Sequence, residues 1–287
     1  MKNQIVILVS LLLVSSASRV SAEELILAGG DETFIVDAAE AEAGRVRKLW
    51  SWLPQQAPDL PDDARREFHH LDECKPVDDG RRFLICASNG GCVLLERATK
   101  RIVWRARARN AHSLELLPRD RVVVASSLSG DHLEVFDVNG PSTPVFKTPL
   151  RSAHGLCWDS QRQCLWALGY DELRRYTLVD WDGAQPKLEL AAAHRLPDAD
   201  GHDLRPAPNT ADLLLTTEQG VYRFDRDQAT FRPHVPLATA AKVKSVDVHP
   251  TTGRMVLSTW GPTVRLLDPP ATITFPDARP YKARWVR

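Results

Sequence analysis

One short stretch recurs along the chain and restricts its fold more than any other feature. Ala111-His112-Ser113-Leu114 returns as Ala153-His154-Gly155-Leu156, as Gly201-His202-Asp203-Leu204 and as Val243-Lys244-Ser245-Val246. Weaker copies stand at Leu71-Asp72-Glu73 and at the C-terminal Tyr281-Lys282-Ala283. Their polar leaders, Asp72, His112, His154, His202, Lys244 and Lys282, lie roughly 40 residues apart, the period of one blade of a β-propeller. After each leader come three further runs with strand periodicity, separated by turn residues. The clearest are 83–87, 92–96 and 102–106, then 122–126, 133–137 and 145–148, then 164–168, 173–178 and 187–191. Runs at 213–217, 221–225 and 230–233 and at 255–258, 264–268 and 272–275 complete the set.

The two ends complement each other. Residues 25–28, 33–37 and 48–53 read as three strands with no leader, and 281–286 as a leader with no blade after it. Placing the tail as the innermost strand of the first blade closes the ring and removes two exposed sheet edges. The expected fold is therefore all-β, a six-bladed propeller of four-stranded blades. A chain of 287 residues, 43% of them hydrophobic, can bury a core of that size. Residues 38–47 read as a helical turn or a surface loop, and 55–66 as a polar connection with a short helix at 62–67. Third strands tend to end in an acid (Asp37, Glu96, Asp137, Asp225, Asp268), which suits hydrogen bonds to the amides of the following turn.

Residues 1–22 read as a signal peptide, with Lys2 as the charged start, an apolar run over 5–14 and Val20-Ser21-Ala22 as the cleavage site. The apolar run is too short to span a bilayer comfortably. The expectation is an exported protein, periplasmic or secreted, with the propeller over 23–287 and no transmembrane segment, monomeric. Lysine plus arginine equals aspartate plus glutamate at 37 each, and no basic cluster points to nucleic acid. Of five cysteines, Cys86 with Cys92 and Cys157 with Cys164 flank short turns. Each pair faces across a hairpin as a disulfide, or its members serve as small buried hydrophobes.

First strands line the channel of a propeller, so the six leaders should converge at its mouth. Three neighbouring imidazoles, His112, His154 and His202, offer general acid–base chemistry near neutral pH, or ligands for a divalent metal. Asp72, Lys244 and Lys282 complete the ring, and with neutral histidines its balance favours an anion. Tyr170 and Trp260, in loops over the mouth, add ligand-binding surface, and Trp260 next to Gly261 suits stacking on a sugar ring. Asp31, Glu32, Asn89, His132, Asp171 and Glu218 occupy the same loops, and His69 is placed to turn toward the mouth. His194, His234 and His249 read as surface residues. No phosphate loop, dinucleotide fingerprint, Gly-x-Ser-x-Gly or His-Glu-x-x-His occurs.

The leader stretches, the four-stranded units and the N-terminal segment together resemble a family of secreted six-bladed propellers of unknown function. More loosely, the chain resembles propeller-type polysaccharide lyases, which use histidine and basic residues on an acidic sugar, sometimes with a metal. Three functions follow as expectations. The first is capture of a small anionic or saccharide ligand at the mouth. The second is lyase or hydrolase action on an acidic glycan, with His112, His154 or His202 as base or metal ligand. The third is a protein-interaction scaffold.

Overall fold

A computed structural model describes residues 23–183 and 185–286; the expected signal peptide lies outside the described residues. Twenty-four strands form six separate four-stranded antiparallel sheets. Blade 1 has the order Lys282–Trp285, Glu24–Gly29, Glu32–Asp37, Lys48–Trp52, so the tail does supply its inner strand. Leu25 pairs with Trp285 and Ala28 with Lys282. Blade 2 runs Leu71–Val77, Arg82–Ala87, Gly91–Glu96, Ile102–Arg107. Blade 3 runs Ala111–Leu117, Arg121–Ser126, His132–Asp137, Phe146–Pro149. Blade 4 runs Gly155–Asp159, Cys164–Leu168, Glu172–Val179, Lys187–Arg195. Blade 5 runs Asp203–Pro206, Asp212–Thr216, Val221–Asp225, Thr230–Pro233. Blade 6 runs Ser245–Val248, Met255–Ser258, Thr263–Leu267, Ala271–Thr274. Among the described residues no helix is long and apolar enough to cross a membrane.

The second strands explain why the blades stack. Arg82–Ala87, Arg121–Ser126 and Cys164–Leu168 are apolar at nearly every position and buried on both faces. Such a strand satisfies its backbone in its own sheet and packs its two faces against two neighbouring blades. The resulting cores lie between blades. Leu84, Cys86, Cys92 and Trp104 of blade 2 meet Leu114, Val122, Val124 and Phe136 of blade 3. Leu25, Leu27 and Phe34 of blade 1 meet Val256, Val264 and Ile273 of blade 6, together with Ala283 and Trp285 of the tail.

Three of the acids that end third strands, Asp37, Asp137 and Asp225, hold turns as their position suggests. Asp37 accepts from the Glu40 amide at 3.0 Å, and Asp137 from Asn139 at 2.9 Å. Asp225 accepts from Asp227 and Gln228 at 2.9 and 3.0 Å. Glu96 differs, its longer carboxylate bonding the Thr99 hydroxyl and the Arg101 guanidinium. All five cysteines are buried free thiols. Cys86 does face Cys92 across its hairpin, but Cys157 is opposite Trp166 and Cys164 opposite Asp159. Burial raises the pKa of each thiol, which makes these cysteines packing residues rather than nucleophiles. His234 departs from expectation: it is buried, and its Nδ1 accepts from Arg223 Nε at 3.1 Å.

Candidate functional site

Each inner strand starts at the mouth and descends along the axis. In blades 4, 5 and 6 the strand begins with Gly155 opposite Leu168, Asp203 opposite Thr216 and Ser245 opposite Ser258. The residues just before, His154, His202 and Lys244, form the rim of the mouth, and their amides donate to the same three strand-end carbonyls. In blade 1 the corresponding pair is Lys282 with Ala28, and the Tyr281 amide donates to Ala28. The rim residue of blade 1 is therefore Tyr281. Lys282 lies one residue deeper than the repeat suggests, and in a strand one residue reverses the face presented. In blades 2 and 3 a bulge inserts one extra residue, Asp72 or His112, between Leu71 and Glu73 or Ala111 and Ser113. A bulge re-aims a side chain at the rim of a sheet.

Five of the six rim groups are thus leaders of the sequence repeat, and the structure brings them together. The His112 and His154 rings are 4.4 Å apart between centroids, His154 and His202 5.6 Å, and His112 and Tyr281 6.1 Å. His154 Nδ1 lies 2.9 Å from the Ser152 carbonyl and His112 Nδ1 3.1 Å from the Asn110 carbonyl. A carbonyl only accepts, so each Nδ1 carries the proton. Nε2 of the neutral ring is then a lone-pair acceptor. Burial holds the pKa of His154 well below that of a free imidazole, and the neighbouring His112 lowers it further.

His202 is arranged differently. The Lys244 ammonium donates to its Nε2 at 2.6 Å, which puts the ring proton on Nδ1, a buried atom with no partner among the described residues. Glu218 and Asp200 approach the same Nε2 at 3.4 and 3.7 Å, and Glu218 lies 3.8 Å from the ammonium. Burial lowers the pKa of Lys244 while the two carboxylates raise it. Asp72 is 5% exposed and accepts from the Ser88 hydroxyl; burial raises its pKa in spite of His112 and that hydroxyl.

Tyr170 is half-buried beneath the Arg151 guanidinium, 3.9 Å from its ring centre, and its carbonyl accepts from the Asp200 amide. Trp260 is 63% exposed and stands edge-on to Tyr281 at 5.9 Å. His132 donates Nδ1–H to the Gly130 carbonyl at 2.5 Å. His69 turns instead to Asp31, 2.8 Å from Nδ1. Among the described residues, the set whose ligand atoms come within 4.8 Å of one another is Asp200, His202 and Glu218, not the three histidines. Lys244 already supplies the cation there.

Below the rim lies a second polar region that the leader pattern does not reveal. Arg284 donates Nη1 and Nη2 to Asp203 at 2.7 Å each, and Nε and Nη2 to Glu73 at 3.1 Å each. Lys282 reaches Glu73 at 3.2 Å, Asp203 at 3.3 Å and the His112 carbonyl at 3.1 Å. Lys75 binds Glu115 at 3.1 Å and the Leu156 carbonyl at 2.9 Å. Arg205 binds Asp247 at 3.0 Å, and Asp247 also accepts from the Trp285 amide. Lys282, Arg284 and Glu73 are fully buried and Asp203 is 1% exposed. Burial would raise the Asp203 carboxyl, but Arg284 and Lys282 outweigh it and hold the pKa at about 2. This hub removes Lys282 from the set of ligand-binding candidates at the mouth. The remaining rim lysine, Lys244, stands beside Asp200 and Glu218. The mouth is richer in acceptors than in cations.

Residues 18–286 match the profile of a family of unknown function, DUF6528, and the chain belongs to that family. No curated protein matches it. Among solved structures it is similar to the WD40 beta propeller domain of Doa1, at 10% identity with a TM-score of 0.58 over 81% of this chain and 71% of that one. At that identity the likeness concerns the fold alone.

Proposed function

We propose that this member of the DUF6528 family is a binding module whose mouth captures a small, uncharged, hydroxyl-rich ligand of the saccharide class. The observation that carries the reading is the paired imidazoles. His112 and His154 commit their Nδ1 protons to backbone carbonyls and so present acceptors. Asp72, Asp200 and Glu218 add acceptors, Lys244 a donor, and Trp260 an exposed aromatic face. Hydroxyl groups supply both partners. At His202 an anion would meet Asp200 and Glu218 beside an ammonium already engaged, so a neutral sugar fits better there than an acidic one. Binding also fits better than turnover. A base whose pKa is held as low as that of His154 accepts a proton poorly at neutral pH.

The test is calorimetric titration with neutral mono- and oligosaccharides, repeated with Trp260→Ala and His154→Ala. Binding weakened about tenfold by Trp260→Ala supports the reading. Absence of heat with every sugar, or equal binding by all three proteins, rejects it. A protein-docking role is the second reading, favoured by Leu128 at 62% and Val235 at 86% exposure in loops at the mouth end of blades 3 and 5. Leu128→Glu with Val235→Glu would abolish such docking and leave sugar binding intact.

A further inference from the structure

The connection from blade 1 to blade 2 builds a separate cleft on the mouth face. It forms two short turns, Asp62–Arg65 and Arg66–Phe68. Phe68 pins it in place. That side chain is fully buried, stands edge-on to Trp52 at 5.6 Å, and covers Gly91, where a Cβ would come within 2.7 Å of the ring. Asn89 Nδ2 donates to the Arg66 carbonyl at 3.2 Å and ties the connection to the facing loop of blade 2. Held this way, Arg66, Glu67 and His69 line a cleft of 430 Å³ with Asn89 and Arg107.

The chemistry of this lining is cationic and donor-rich. Its one acid, Glu67, already faces two arginines, Arg107 at 3.5 Å and Arg105 at 3.7 Å. Arg66 is exposed and has no ion pair among the described residues. The His69 ring is oriented by Asp31, which also accepts from the His70 amide at 3.3 Å. Asp31, the partner of His69, itself lines a second cleft of 490 Å³, whose lining includes Glu32, Asp277 and Arg279. Guanidinium groups recognise carboxylate and phosphate by paired hydrogen bonds. The carboxylates of the adjoining cleft accept from hydroxyls.

We infer that the Arg66–Arg107 cleft is a second binding site, for a sugar carrying an oxyanion, either carboxylate or phosphate. The anion lies between Arg66 and Arg107 with Asn89 as a further donor, and the sugar hydroxyls extend past Asp31 toward Asp277, Glu32 being paired with Lys48. The anion preference expected of the mouth thus belongs to this cleft.

Calorimetric titration with glucuronate, glucose 6-phosphate and glucose tests the assignment. The control is Arg119→Ala, an exposed arginine paired with Asp182 on the opposite face. The expected result is that at least one of the two anions binds, and that Arg66→Ala with Arg107→Ala weakens it by about tenfold or more. Arg119→Ala should leave that affinity unchanged. Which anion binds more tightly separates carboxylate from phosphate. Binding by neither anion, or binding indifferent to the two arginines, overturns the proposal. Both arginines are exposed, so far-ultraviolet circular dichroism matching the parent chain is expected.

Discussion

Two tiers of polar side chains lie at neighbouring levels of the axis and behave in opposite ways. In the hub, Glu73, Glu115, Asp203 and Asp247 are matched by Lys75, Arg205, Lys282 and Arg284, and partners come from across the axis. At the rim, a residue or so above, Nε2 of His154 and His112 is left as an acceptor, and His202 Nδ1 is a donor without a partner among the described residues. The difference teaches how to tell structural polarity from available polarity. Charges that complete one another in the dry interior specify an assembly. Polar atoms with spare valence near solvent are free for a ligand. Residue type does not separate the two tiers, since both contain lysine and carboxylate.

Substitutions should split along the same line. Arg284→Met leaves Glu73 and Asp203 short of their shared cation and should lower stability by about 3–5 kcal/mol, read from the denaturant midpoint. Replacing Glu73, Asp203, Lys282 and Arg284 together with apolar residues of matching size should cost less than Arg284→Met alone. If the quadruple variant is the worse of the two, the hub contributes more than mutual charge compensation.

Acid offers the next largest effect. The Asp203 carboxyl titrates lower in the folded than in the unfolded chain, so its contribution is complete above about pH 4 and is lost as pH falls toward 2. The loss is on the order of 2 kcal/mol. His154 is likewise depressed, but from an imidazole value, so a separate decline should begin below about pH 6.5. His154→Ala should make that upper decline shallower and leave the acid one, because burial depresses His194, His202 and His234 (to about 4) as well. A stability–pH curve showing one decline, or an upper decline as steep in His154→Ala as in the parent chain, breaks the assignment.

Smaller effects complete the contrast. Lys244→Met should change stability by about 1 kcal/mol or less, because its ammonium is half-buried among partners near solvent, while altering ligand affinity. Trp260→Ala should stay within about 0.5 kcal/mol in unfolding experiments. Equal losses from Lys244→Met and Arg284→Met would erase the distinction between the tiers.

The wheel was legible because each blade repeats one pattern, and a split first unit needs a tail to complete it. The rim was legible at five positions for the same reason. The tail misled because Tyr281 and Lys282 are adjacent polar residues and the repeat there is weak. Choosing the wrong one moves a cation from a buried ion pair to a ligand site. The signal that separates them is period two. Glu73 with Lys75, Asp203 with Arg205, and Lys282 with Arg284 put charges at alternate positions of strands meant to be buried, and only partners across the axis make that tolerable. The blade 1–2 connection hid its cleft, since nothing local shows that Phe68 folds back onto Gly91.

The filled axis has a consequence for traffic. A shaft occupied by interlocked guanidinium, ammonium and carboxylate groups is no conduit. Whatever docks above the histidines must arrive and depart by one side, and the opposite side is left free to touch something else at the same time.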